Sequence, residues 1–222
     1  MGFNSLLFLS LFLPQFIIIF FFNKKNIQNT GKNKGSYNTA NAIQGLIFAL
    51  LTTIVSPLIL TSEYSLGGNN TVATDIMIHI ALSFFTCHII FIILAKNITS
   101  EITHHVICMG ALLYSLVTQT FGQDLILTIF LGEITFTHYA KIVAKNMNWN
   151  TLEHQLNEIF FFSFSFIRLF IFPVYLYTFI TYASAPISLK LFAVAFVGLG
   201  IYYNNIIAKN RASSQKKKMS LN

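Results

Sequence analysis

The feature that most constrains this chain is a succession of apolar stretches, each close to the length of a membrane-crossing helix, parted by short polar connections. A bilayer core takes about 20 apolar residues per helix, within a range of about 17–25. Measured against that length, spans fall near Ser5–Phe22, Ala40–Leu60, Val72–Ala95, His104–Phe121, Leu125–Ala144, Leu156–Tyr182 and Ile187–Ala208. Backbone polar groups inside hydrocarbon need internal partners, which helices supply. The expected fold class is therefore all-α: a polytopic transmembrane helical bundle of about seven spans. Composition argues against a soluble alternative. Charged residues make up 9% of the 222 residues, where a soluble domain has about 25%. The 24 phenylalanines, in blocks such as Phe20-Phe21-Phe22 and Phe160-Phe161-Phe162, exceed what a water-soluble fold of this size can hide.

Charge gives the spans an orientation. With seven of them, the loops after the first, third and fifth share a side with the C-terminal tail. Those segments hold Lys24, Lys25, Lys32, Lys34, Lys96, Lys141, Lys145, Lys209, Arg211, Lys216, Lys217 and Lys218, out of 14 basic residues. Arg168 and Lys190 remain, and the opposite side carries Glu63, Asp75 and Asp124. The positive-inside rule then sets the C-terminus in the cytosol and the N-terminus outside. The net charge of +7 follows from this topology and does not point to nucleic acid, because the lysines sit in loops without interleaved aromatics. The Lys216-Lys217-Lys218 tail reads as a solvated, topogenic end.

Several signals are absent. Met1-Gly2 is followed by Leu6 where a myristoylation signal has Ser or Thr. Leu6–Phe22 lacks a basic lead and a small-residue cleavage site, so it reads as a retained span. Cys87 and Cys108 lie within apolar runs as small hydrophobes, with no metal-spaced cysteine pair. No cofactor and no metal is expected. Of two sequons, Asn69-Asn70-Thr71 falls in an outside loop and Asn97-Ile98-Thr99 in a cytosolic one.

Ionisable residues at membrane depth are costly, at least about 2.5–3.5 kcal/mol each near the centre, so each one is a candidate. Glu133 and Arg168 sit mid-way along consecutive antiparallel spans and are expected to pair. His104-His105 open the fourth span. Adjacent helix positions diverge by about 100°, so only one of them faces a narrow interior, where it is suited to general-base chemistry. Asp75 and His79, an i, i+4 pair at the start of the third span, are expected to hydrogen-bond there, with His88 deeper.

The order of these residues resembles the TLC-domain family, which includes the ceramide synthases and a set of smaller TLC-domain-containing proteins. The likeness runs from about Ser36 to Tyr177 and is carried by short pieces. They are Ala73-Thr74-Asp75-Ile76-Met77, Glu101-Ile102-Thr103-His104-His105-Val106, Leu131-Gly132-Glu133-Ile134-Thr135, and Phe166-Ile167-Arg168-Leu169 with Pro173 beyond it. The synthases carry a His-Asp and a second Asp where this chain has Gly132-Glu133 and Thr135, and many members have a His where this chain has Gln44. The resemblance is therefore to the smaller, non-synthase members.

That resemblance implies an integral membrane protein that binds or senses lipid and influences membrane lipid composition. Its interior is expected to be lined by Asp75, His104, His105, Glu133 and Arg168. If it is an acyltransferase, His105 is the base and Glu133 its orienter, with His104 beside them; whether it is an enzyme stays open. The alternative is a non-catalytic accessory subunit of a larger membrane complex. Expected partners are membrane lipids, with other membrane subunits under the alternative, and no nucleic acid. The endoplasmic reticulum is the expected location, the mitochondrial inner membrane the alternative. The expected organisation is an N-terminal span and basic loop (1–35), a TLC-like domain (36–208) and a basic tail (209–222).

Overall fold

The computed structural model describes residues 4–27, 34–94, 100–133, 136–182 and 184–219. Nine α-helices are found among the described residues, with no strand: α1 (Ser5–Ile27), α2 (Lys34–Glu63), α3 (Val72–Leu94), α4 (Ser100–Thr118), α5 (Gly122–Glu133), α6 (Thr137–Asn146), α7 (Asn150–Phe166), α8 (Phe172–Thr181) and α9 (Ile187–Met219). A π-helical turn, Ile167–Ile171, joins α7 to α8. The all-α expectation therefore holds. Five helical stretches are long and apolar enough to cross a membrane: Ala42–Thr61, Val72–Ile93, Gly122–Asn146, Asn150–Thr181 and Ile187–Lys209. Two further apolar helical stretches, Ser5–Ile18 and Ile102–Thr118, are shorter.

The chain falls into two compact units, Met1–Leu156 and Asn157–Asn222, so the division lies within the segment 36–208. In the first unit α3 is the central helix. Of its span 67% is buried, against 28% or less for the other four, so α3 is wrapped by protein while the others keep broad apolar faces outward. Its Met77, Ile78, Ala81, Leu82, Phe84 and Phe85 form the core with Phe48 of α2, Leu112 and Leu116 of α4 and Ile126 of α5. Helix α1 lies against α3 through a stripe of every fourth residue. Phe8, Phe12, Phe16 and Phe20 stack in sequence at 5.6–5.9 Å, and Phe16 stacks on Phe91 at 5.6 Å. Asn4 caps α1, its Oδ1 accepting from the Leu7 N–H at 3.0 Å.

Helix α2 packs on α5 and α6. Gly45 makes this possible, since a Cβ there would run into the Tyr139 ring of α6. Gly45→Val should therefore lower stability by about 1–3 kcal/mol. Tyr139→Ala in the same chain should restore part of the loss, read as thermal unfolding in detergent.

Within the expected span Leu125–Ala144, the described residues are helical in α5 up to Glu133 and in α6 from Thr137, and the stretch Gly122–Asn146 is long and apolar enough to cross a membrane. Helix α4 starts earlier than expected and stops at Thr118, because Gln119 (φ 57°) and Phe121 (φ 63°) take the left-handed conformation.

In the second unit the π-turn has a local cause. Pro173 has no N–H and its ring crowds the carbonyl four residues back, at Leu169. Widening the turn relieves that crowding, and the Phe172 N–H bonds the Ile167 carbonyl five residues away. Helix α9 packs on α8 and on this turn, and Ser165 Oγ donates to Asn204 Oδ1 at 2.7 Å.

Candidate functional site: a buried histidine pair

Helices α3 and α4 bring two histidines together. His88 lies six residues before Leu94, the last of α3, and His105 five residues after Ser100, the first of α4. His105 Nε2 and His88 Nδ1 are 3.0 Å apart, and both residues are buried. Aromatic rings hold them: Phe85 stacks on His105 at 5.0 Å and Phe84 meets His88 at 5.5 Å. A proton on one of the two nitrogens makes this a neutral hydrogen bond, which suits an apolar interior. His105 Nδ1 is also buried and has no partner among the described residues.

His104 diverges as adjacent helix positions must. It is only half-buried, with its Nε2 3.8 Å from Cys108 Sγ on the next turn. The inward residue of the pair is thus His105. Glu133 belongs to α5, but its side chain, and with it the expected pairing with Arg168, lies outside what is described.

Asp75 lies thirteen residues before His88 on α3, about 20 Å along the axis, so it belongs to the other end of the unit. There Asp75 Oδ1 accepts from Asn70 Nδ2 at 2.9 Å. The expected Asp75–His79 bond exists in another form: His79 Nδ1 meets the Asp75 backbone carbonyl at 2.6 Å. His79 Nε2 accepts from the Asn4 N–H at 2.9 Å, so His79 is the neutral Nδ1–H tautomer tying α1 to α3.

That end is organised by Asn70, whose role no spacing or motif signals. Its Nδ2 also reaches the Ser115 carbonyl at 3.2 Å, its Oδ1 accepts from the Gly122 N–H at 2.9 Å, and its N–H bonds the Gln119 carbonyl at 2.8 Å. Asp124 completes the tie by accepting from Tyr64 Oη at 3.0 Å and the Gly67 N–H at 2.9 Å. The sequon residue Asn69 is exposed in this loop, and Asn97 lies outside the described residues.

Arg168 belongs to the second unit, in the π-turn. Its guanidinium carbon lies 4.6 Å from the centroid of Phe172, 4.9 Å from Phe196 and 5.2 Å from Phe164. Such cation–π contacts offset part of the cost of a cation at membrane depth. Gly200 leaves the room for it, since a Cβ there would stand 2.8 Å from Arg168 Cδ.

Among the described residues no group of three or more His, Cys, Asp or Glu is placed to hold a metal ion. Compared with protein-family models, curated proteins and solved structures, the chain matches none.

Proposed function

We propose that this protein is a multi-pass membrane protein of the TLC-domain kind that binds or senses lipid and influences membrane lipid composition. The observation that carries the reading is the His88–His105 pair, a buried polar feature with one ring nitrogen to spare, set in a helix bundle whose outer faces are apolar. A buried polar atom left without a partner costs about 1–3 kcal/mol, and such a cost is retained where a ligand repays it.

In this reading Ser5–Ile18 and Ile102–Thr118 cross the membrane together with the five longer stretches, which gives seven crossings and a cytosolic C-terminus. Cysteines introduced at Lys24 and at Lys209 should then react with a membrane-impermeant thiol reagent from the same, cytosolic face. Reaction from opposite faces would exclude seven crossings.

The functional test compares three strains: one with His105→Ala, one lacking the chain, and the parent. Lipid handling predicts an altered lipidome in both altered strains, with neighbouring membrane complexes intact on a native gel. An unchanged lipidome in both, with a complex missing from the deletion strain, would establish the accessory-subunit alternative instead.

A further inference from the structure

Helix α9 is divided lengthwise. Phe196, Gly200 and Asn204 are buried on the side that meets Arg168 and Ser165 of the same unit. Another side carries Ile187, Leu191, Val194, Gly198, Ile201 and Asn205, spaced alternately by four residues and three. All six are exposed, the four large apolar ones by 41–77%. That alternation averages about 3.5 residues, so the stripe runs straight along the helix and can face one partner helix throughout. From Ile187 to Asn205 it is about 27 Å long, close to the thickness of the hydrocarbon core. Apolar exposure alone does not identify an interface, because lipid tails cover leucine as well as another helix does. Two members of the stripe differ. A Cβ at Gly198 would meet no atom within 4 Å, so the backbone there is open to close approach by another helix. Asn205 lies inside the spanning stretch Ile187–Lys209, and its amide has no partner among the described residues. An amide facing hydrocarbon needs a hydrogen bond that lipid tails cannot give.

We propose that this stripe is the interface of a homodimer, in which α9 packs along α9 of a second copy and the two Asn205 amides bond each other. Copies inserted with one topology stand parallel in the membrane. A two-fold axis along the membrane normal then sets each residue of the stripe opposite itself. Only self-complementary groups tolerate that placement. An asparagine amide is both donor and acceptor, and a glycine lets the two backbones approach. No charged residue stands in the stripe to repel its own copy. Lys190 and Lys209 flank it near the two ends, where long side chains reach the head groups. The proposal uses only the second unit and stands apart from the lipid reading above.

The test is disulfide trapping of the full chain in membranes, with Cys87 and Cys108 replaced by alanine and one cysteine introduced at a time. Among copies of this chain a single cysteine can join only to its own counterpart. A band at twice the chain's 25.1 kDa therefore reports two copies meeting at that residue. Gly198→Cys and Leu191→Cys should give that band on mild oxidation, whereas Val174→Cys on α8, 68% exposed, should not. Adding Asn205→Leu to Gly198→Cys should lower the trapped fraction, while Asn205→Gln should retain it. The chain with its own cysteines gives an independent measure, by two-colour single-molecule counting in vesicles across protein-to-lipid ratios. There Asn205→Leu should weaken dimerisation about tenfold, and Gly198→Leu at least as much. A monomer at every ratio, a trapped partner of another mass, equal trapping at Val174 and Gly198, or dimerisation untouched by Asn205→Leu would overturn the interface.

Discussion

Replacing Asn70 by alanine is expected to give the largest loss of stability of any single polar substitution in the first unit. The side chain satisfies the Asp75 carboxylate, the Ser115 carbonyl and the Gly122 N–H together. Each bond contributes about 0.5–1.5 kcal/mol net, and stranding a buried partner adds about 1–3 kcal/mol. Asp75 is 2% exposed, so water does not readily take the place of the lost amide. A total near 4 kcal/mol follows for Asn70→Ala, against about 0.5 kcal/mol or less for the exposed neighbour Asn69. Asn70→Asp should be as harmful, since it sets a second acceptor against the Asp75 oxygen. Thermal unfolding in detergent measures all three. The left-handed Gln119 and Phe121 depend on the same tie, so Asn70→Ala should also expose the 118–122 turn to proteolysis.

The second large effect is a coupling between His88 and His105. Changing either alone to phenylalanine removes one partner of a buried 3.0 Å bond and leaves the other ring nitrogen unsatisfied. Each single change should cost about 2 kcal/mol, and the double change should cost much less than their sum. The Phe84 and Phe85 contacts persist with a benzyl ring at either position, which keeps the comparison one of polarity more than volume. Additive losses in this cycle would mean the two rings do not share a proton.

Much of the bundle could be read from residue order, because lipid makes hydropathy a strong signal of helix placement. The core-facing side of α1 was equally legible in principle, since Phe8, Phe12, Phe16 and Phe20 are spaced by four. Arg168 likewise has Phe164 and Phe172 four residues to either side, so two walls of its cage lie in the local sequence, while Phe196 comes from α9. His88 shares a helix with Asp75 and His79, so its place in the sequence associates it with them, whereas its partner His105 comes from the next helix. The Asn70 tie was not legible: it depends on left-handed backbone at Gln119 and Phe121, residues that give no such signal.

The central claim is that the polar group of a lipid reaches the His88–His105 layer inside the first unit. Photo-crosslinking tests it most directly, using a single-chain lipid that carries a diazirine beside its head group, added to the protein in native-like membranes. Peptide mapping should place crosslinks on α3 and α4 near His88 and His105. Excess unlabelled lipid should compete them away, and His105→Phe should abolish them. Crosslinks confined to outward residues such as Val106 and Val117, and unchanged by competitor or by His105→Phe, would contradict the account.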